Sequence, residues 1–361
     1  MPGAAYPDII PVDQWLTLYE GLLIIAGPCS VESRQQLELT ARGLADTKKI
    51  SVFRAGIWKP RSRPGRFEGV GAEAFSWLTD IREETGMPVA VEVARPNHVE
   101  LCLKHGIDII WLGARTSVNP FLVQEIANAC RGTNIPVMIK NPISPDLRLW
   151  VGAIERMAQS GIKKLIAIHR GFQSHPKSMY RNRPHWDIPA ALKKEIPGIP
   201  IVCDPSHIAG NRQLIPEVAA KALAMRMNGL MVETHFAPET AKTDPEQQIT
   251  PERLNDILEE LLRPEPLMGK LLDLDALRTL IDEKDHQLLE MLADRMSLSE
   301  LIGELKKEQQ TGIRQPDRKK DILADRQQKG TELGLSKVFI KKVFSLLHEE
   351  SVIIQRKKMA P

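Results

Sequence analysis

An α/β fold is predicted, eight parallel strands closed into a (β/α)8 barrel and followed by a small all-helical domain, on three observations. Between Gly21 and Leu262, short β-branched or leucine-rich runs alternate with amphipathic helical stretches, the grammar of parallel strands joined by helical crossovers. Polar residues stand at the carboxyl end of each run, where barrels of this kind keep their chemistry. Beyond Leu262 the strand-like runs stop and only helical spacing remains.

Gly21 to Ser33 reads Gly-Leu-Leu-Ile-Ile-Ala-Gly-Pro-Cys-Ser-Val-Glu-Ser, an unbroken apolar run that suits a strand buried on both faces. Gly27-Pro28 ends it, Cys29 stands just past the break, and Ser33 is placed to cap a helix reaching about Asp46. Further strands are expected at Ser51–Ala55, Val89–Val93, Asp108–Leu112, Pro136–Lys140, Lys164–His169, Pro200–Cys203 and Leu230–Glu233. Helices are expected between them, at 72–85, 96–105, 120–130, 145–160, 188–195 and 211–227, with 250–262 closing the set. So many units in one stretch, without a Gly-x-Gly-x-x-Gly fingerprint, favour a closed barrel over an open dinucleotide-binding sheet. Only about twenty residues precede the first strand, too few for a domain of their own.

The whole is larger than one growing core: 361 residues imply a large barrel, two domains or both. With 49 basic and 46 acidic residues dispersed along the chain, no nucleic-acid or membrane signature exists. No signal peptide or membrane-spanning run is visible, and a cytoplasmic protein is expected. Four cysteines (29, 102, 130 and 203), without a Cys-x-x-Cys pair, read as thiols.

Two constellations emerge at the strand ends. Cys29, His207 and Glu233 follow strands one, seven and eight, which are neighbours in a closed barrel, and Asp244 lies in the loop after strand eight. A lone Cys usually packs and a lone strand-end His usually makes a structural hydrogen bond. Four such groups at one rim instead suggest a site for one divalent ion of the manganese, iron, cobalt or zinc kind. Arg54, Lys59, Arg115, Lys140 and Arg170 form the second set. Any one alone reads as a solvated surface charge. A ring of them requires an anion, here one with both carboxylate and phosphate.

Ala26-Gly-Pro-Cys-Ser30, Arg54 with Lys59-Pro-Arg-Ser62, Gly113-Ala-Arg115, Asp204-Pro-Ser-His207 and Val232-Glu-Thr-His235 together resemble 3-deoxy-D-arabino-heptulosonate 7-phosphate synthases of the type I beta kind, over about Gly21 to Leu262. The resemblance implies condensation of phosphoenolpyruvate with erythrose 4-phosphate on a TIM barrel. It implies Cys29, His207, Glu233 and Asp244 as metal ligands, Arg54, Lys59, Arg115, Lys140 and Arg170 around phosphoenolpyruvate, and Arg61 with Ser62 as the sugar-phosphate clamp. The chain departs from the family at Ser62, where Thr is usual, and at Asn141-Pro142. The related octulosonate 8-phosphate synthases share the barrel but lack the Lys-Pro-Arg-Ser/Thr form. A Schiff-base aldolase using Lys140 would need no metal.

Residues 263–271 carry the Pro and Gly punctuation of a linker. From there one helix is expected over about 272–309, ~57 Å long at the standard rise, followed by helices at 318–329 and 336–356. So long a helix cannot be covered by its own short domain, and a homodimer is expected. Arg295 and Lys306 fall on nearly one face, whereas Arg278 is too far along the axis to share a small ligand with them in one chain. The order Arg278, Arg295, Lys306, Arg318, Ser351 and Gln355 resembles the all-helical chorismate mutases. That resemblance implies a site of Arg295, Lys306, Arg318, Ser351 and Gln355, with Arg278 donated by the partner, turning chorismate into prephenate. Gln315 and Lys319 stand where that family often has acidic groups.

The expected protein is a bifunctional enzyme: barrel (1–262), linker (263–271) and mutase (272–361). A silent sensor of prephenate or chorismate is the alternative for the tail, and a purely dimerising tail ranks third. Inhibition of the barrel by prephenate bound in the tail is a further expectation.

Overall fold

The computed structural model describes residues 7–19, 21–59, 65–173, 179–262, 274–312 and 316–359. Eight strands, β1 (Leu23–Gly27), β2 (Val52–Ala55), β3 (Val89–Val93), β4 (Ile109–Leu112), β5 (Val137–Lys140), β6 (Leu165–His169), β7 (Ile201–Cys203) and β8 (Gly229–Glu233), run parallel in sequence order. β8 returns to β1, with Ala26 opposite Val232 and Gly27 opposite Glu233, and closes the barrel. The expected fold class holds.

Every strand is buried on both faces or nearly so, which explains why none alternates polar with apolar residues. Alternate residues fill the interior: Leu23, Ile25, Val52, Ala90, Ile109, Trp111, Met138, Ile166, Ile168, Val202 and Met231 form one cluster. Val12 and Leu16, in the segment before β1, pack onto the same cluster. The Ile10 N–H donates to Lys163 O at 2.9 Å, so this segment ties to the amino-terminal end of β6.

Around the sheet lie α1 (Arg34–Asp46), α2 (Ala74–Thr85), α3 (Pro96–Lys104), α4 (Ala114–Ser117), α5 (Pro120–Cys130), α6 (Leu147–Gln159), α7 (Asp187–Glu195), α8 (Pro205–Ala209), α9 (Ile215–Ala224) and α10 (Pro251–Leu261). Caps set several starts: Ser33 Oγ accepts the Gln36 N–H, as its position suggests, and Thr250 caps α10. The helix expected from 145 starts later because Asp146 is its cap, accepting the Leu149 N–H. The stretch 211–227 divides into a 3-10 turn, Arg212–Leu214, and α9. Two short helices, α4 and α8, were not foreseen; four and five residues are too few to show a 3.6-residue period.

The chain separates into two compact units, Met1–Ala276 and Leu277–Pro361. The expected linker at 263–271 lies outside the described residues, as do Arg61, Ser62 and Gln315. The second unit holds all but the first three residues of α11 (Leu274–Glu308), with α12 (Pro316–Glu332) and α13 (Lys337–Met359). These bounds fit the expected long helix and two shorter ones, with α12 and α13 each longer than read. A Cβ on Gly330 would lie 2.6 Å from Ile340 Cγ1, so α12 and α13 meet at that glycine. Along α11, Leu288, Met291, Leu298, Leu301 and Leu305 are exposed.

Candidate active site

Three glycines explain why the rim can be so crowded. A Cβ on Gly27 would stand 2.0 Å from Arg54 O, and one on Gly56 would stand 2.1 Å from Cys29 O. The turns after β1 and β2 therefore touch backbone to backbone, and this contact brings Cys29 beside the Arg54 strand. A Cβ on Gly113 would lie 2.1 Å from Glu92 Oε1. The Gly113-Ala-Arg115 turn thus makes room for the Glu92 carboxyl at the end of β3.

Cys29, Glu233 and Asp244 converge, with one ligating atom from each within 4.8 Å of the others. Cys29 Sγ is 3.5 Å from Asp244 Oδ2. His207 sits at the edge of this group: its Nε2 lies 3.7 Å from Glu233 Oε1, while its Nδ1 faces Asp204 Oδ2 at 2.8 Å. Lys59 supplies a cation to the cluster. Its Nζ donates to Asp244 Oδ2 at 2.6 Å and to Cys29 Sγ. The lysine expected beside phosphoenolpyruvate therefore rests among the metal-donor candidates, where it offsets their negative charge.

The electrostatics agree with a cation-holding site. Burial, followed by Glu233, pushes the Cys29 thiol up to about 12, so only a strong local positive charge favours its thiolate. Burial alone would raise Glu233 and Asp244, yet both are held below the usual carboxylate range. His207, Arg54 and Lys59 outweigh burial at Glu233, and Lys59 and Arg181 do so at Asp244. Burial holds His207 down at about 4 against the pull of Asp204, leaving a neutral imidazole near neutral pH. Among the described residues, none donates a hydrogen bond to the buried Glu233 Oε1. A soft thiol, a neutral imidazole and two ionised carboxylates fit a borderline divalent ion such as manganese, iron, cobalt or zinc.

Beside the donors lies a cationic floor. Arg54 is almost fully buried, pairs with Glu233 Oε1 at 3.2 Å, and lies over the Trp111 ring at 5.0 Å. Its Nε and Nη1 are buried and have no hydrogen-bond partner among the described residues. Lys140 Nζ pairs with Asp204 Oδ2 at 2.8 Å, so Asp204 holds Lys140 and His207 together. Arg170 donates to Asn182 Oδ1 at 2.9 Å. Burial, with repulsion from Arg181 and Arg115 partly countered by Asp204, lowers its guanidinium to about 10. Arg115 is exposed at the start of α4 and near enough to Arg170 to repel it.

Asn141, where the chain departs from the usual pattern, accepts the Arg170 N–H at 2.7 Å and donates to Pro142 O and Gly171 O, both at 2.8 Å. The departure thus retains a rigid support for Arg170. Asp204, Glu92, Arg181, Gln247 and Gln248 also belong to the site and are absent from the ligands expected from sequence. Asp204 is legible in the sequence within the Asp204-Pro-Ser-His207 motif, and Glu92 as an acid near the end of the expected strand Val89–Val93. The two glutamines gave no sequence signal, since amides in a loop look like any solvated polar residue.

In the second unit, Arg295 Nη1 donates to Ser351 Oγ at 2.7 Å and to Leu347 O at 3.1 Å. Lys306 Nζ donates to Gln355 Oε1 at 3.0 Å. The four expected residues therefore form two facing pairs between α11 and α13. Ser299, which the sequence reading missed, adds a contact to Ser351 Oγ at 3.1 Å. A Cβ on Gly303 would lie 3.0 Å from Gln355 Cα, so Gly303 sets the close approach of the two helices there. Arg278 and Arg318 belong to α11 and α12, and their side chains lie outside the described residues.

Residues 19–264 match the DAHP synthetase I family, and residues 277–356 match chorismate mutase type II. A phospho-2-dehydro-3-deoxyheptonate aldolase of Thermotoga maritima is 32% identical over 248 residues, covering 68% of this chain and 70% of that protein. A 2-dehydro-3-deoxyphosphooctonate aldolase of Caulobacter vibrioides is 27% identical over 271 residues, covering 69% of this chain and 89% of its own. The crystal structure of the Thermotoga maritima DAHP synthase aligns with TM-score 0.60 and 31% identity over 66% of this chain and 68% of that one. A truncated form from the same organism aligns with TM-score 0.58 at 29% identity, over 66% of this chain and 85% of that one. With a barrel that carries the converging donors and a helical unit that carries the paired cations, the chain belongs to the DAHP synthetase I family and bears a chorismate mutase type II domain at its carboxyl end.

Proposed function

We propose that the barrel is a metal-dependent synthase of the type I beta kind, which joins phosphoenolpyruvate to erythrose 4-phosphate in the cytoplasm. The observation that carries this reading is the pairing of two unlike sites at one rim. Cys29, Glu233, Asp244 and the adjacent His207 make the metal-donor set, and beside it Arg54 presents two buried donors that have no partner among the described residues. A phosphorylated carboxylate would satisfy those donors.

In this reading Arg54, Lys140 and Arg170, with Arg115 at the mouth, hold phosphoenolpyruvate and fix its carbon 3 toward the aldehyde. Lys59 moves from Cys29 and Asp244 to the substrate, with Arg61 and Ser62 gripping the sugar phosphate. A divalent ion held by Cys29, His207, Glu233 and Asp244 would supply Lewis acidity to the aldehyde. Carbon 3 bonds to the aldehyde carbon, water adds at carbon 2, and inorganic phosphate departs. The cations stabilise negative charge as it moves between carboxylate, alkoxide and phosphate. The Lys-Pro-Arg-Ser form at residues 59–62 favours the heptulosonate product over the octulosonate.

The helical unit is proposed to rearrange chorismate to prephenate. Arg295, Lys306 and Arg318 would hold the two carboxylates and the ether oxygen, with Ser351, Gln355 and a partner's Arg278 completing the site. The reaction is unimolecular, so positioning and charge suffice. The exposed apolar stripe on α11 supports a homodimer through this unit, and prephenate is proposed to bind there and inhibit the barrel. Lys319, in place of the common acidic group, supports a second reading, a binding unit without turnover.

Heptulosonate formation is expected to fall with chelator and return with added manganese, iron, cobalt or zinc. Cys29→Ala is expected to lose at least 100-fold in activity, on the order of 3 kcal/mol. Activity that survives full chelation in both proteins would overturn the metal-dependent reading. Chorismate turnover by the full chain, abolished in Arg295→Ala, separates catalysis from binding alone.

A further inference from the structure

The segment after Asp244 carries two adjacent glutamines, Gln247 and Gln248, each about 1% exposed. Buried amides are costly unless satisfied, and both are satisfied at the proposed donor set. Gln247 Nε2 donates to Glu233 Oε2, and Gln247 Oε1 accepts from Arg181 Nη1. The same Arg181 nitrogen lies 3.3 Å from Asp244 Oδ1. Gln247 and Arg181 together therefore link the outer oxygens of two carboxylates whose other oxygens face the site.

Gln248 works through the backbone. Its Oε1 accepts the Cys29 N–H at 3.1 Å, and its Nε2 donates to Thr243 O at 2.8 Å. Thr243 Oγ1 in turn lies 2.6 Å from Ser30 Oγ. The turn that delivers the thiol is thus tied to the residue that precedes Asp244. Asp244 itself adopts the left-handed region, φ 44°, a conformation costing on the order of 1 kcal/mol that needs support from its surroundings.

We propose that Gln247 and Gln248 are the positioning residues of the metal centre: Gln247 orients the Glu233 and Asp244 carboxylates, and Gln248 sets the spacing of Cys29 from Asp244. Cys29 follows β1, Glu233 ends β8 and Asp244 lies in the segment beyond it, so their common spacing depends on ties between separate parts of the rim, and these two amides are such ties. This assignment rests on the metal-dependent reading of the barrel.

The test is a titration of the metal-depleted full chain with cobalt(II), read by the thiolate-to-cobalt absorption band, beside thermal unfolding in chelator. Gln247→Ala and Gln248→Ala are each expected to weaken cobalt binding about 10–100-fold, with the band shifted or reduced in Gln248→Ala. Asn228→Ala, which removes an amide that accepts the Ile201 N–H at the opposite end of the barrel, serves as the comparison and should bind cobalt like the parent. Should either alanine variant fail to unfold cooperatively, Gln247→Glu and Gln248→Glu preserve the volume and are expected to show the same loss of affinity. Parent-like affinity and band in the folded variants, or an equal loss in Asn228→Ala, would overturn the positioning role. A parent protein that binds cobalt without a thiolate band would instead overturn the metal-site reading, and this proposal with it.

Discussion

Asp204 shows how one buried carboxylate can govern two candidate binding residues, His207 and Lys140. Its carboxylate is fully buried, and burial would raise its pKa. His207, in the acid range where it carries charge, and Lys140 outweigh that and hold it well below the usual carboxylate range. By facing Nδ1 it leaves Nε2 of the neutral His207 turned toward Glu233. Asp204→Asn is expected to lower heptulosonate formation 10–100-fold and to weaken metal binding in parallel. Unchanged metal affinity would assign its effect to Lys140 alone. His169 gives a pH prediction at the same scale. Packed near Trp150, Phe172 and Trp186, it is pushed down to about 3, first by burial and then by Arg170. Its folded value lies below the unfolded one, so the unfolded chain binds the extra proton. Stability is complete above about pH 6.5 and is lost as pH falls toward 3. His169→Phe should flatten that acid loss, by a few kcal/mol at the low end; an unchanged urea midpoint slope across this range would contradict it.

At the scale of elements, the strands were legible because each is a short apolar run with a breaker behind it. The long helices were legible because their apolar spacing persists. What was not legible is instructive. The short α4 and α8 carry too few residues for periodicity, yet they place Arg115 and His207. Cys29, His207 and Glu233 stood out as candidate ligands because strand order makes strands one, seven and eight neighbours, and Asp244 because its loop follows strand eight; of the four, the structure places His207 at the edge of the group. The glutamine ties did not stand out, because their meaning lies in contacts more than two hundred residues apart for Gln248 and Cys29. Glycine placement supplies the test here. Gly27→Ala would force a Cβ to 2.0 Å from Arg54 O and is expected to unfold the rim or cost at least about 3 kcal/mol. In the helical unit, Gly330→Ala gains about 1 kcal/mol in helix propensity but puts a Cβ 2.6 Å from Ile340 Cγ1. The clash is expected to win, lowering the unit's stability by about 1–2 kcal/mol in chemical denaturation; a more stable variant would show that Ile340 simply turns away.

At the scale of the whole molecule, the two family domains are proposed to divide the chemistry along the chain: bond formation on the barrel, and rearrangement on the helices. An exposed stripe of Leu288, Met291, Leu298, Leu301 and Leu305 on α11 is expected to be covered by a second copy. Sedimentation should give a dimer, and Leu298→Glu with Leu305→Glu should give a monomer with little mutase activity. Removing the chain after Leu262 is expected to leave a folded barrel that prephenate no longer inhibits; retained inhibition would place the effector elsewhere. The proposed synthase chemistry depends on a thiol-containing metal centre at the barrel rim. The most direct measurement is X-ray absorption at the zinc edge of the zinc-loaded full chain. The prediction is one sulfur neighbour at about 2.3 Å with nitrogen and oxygen completing the shell, and loss of that sulfur in Cys29→Ala. A shell of light atoms alone, or the same sulfur signal in the variant, would contradict the assignment.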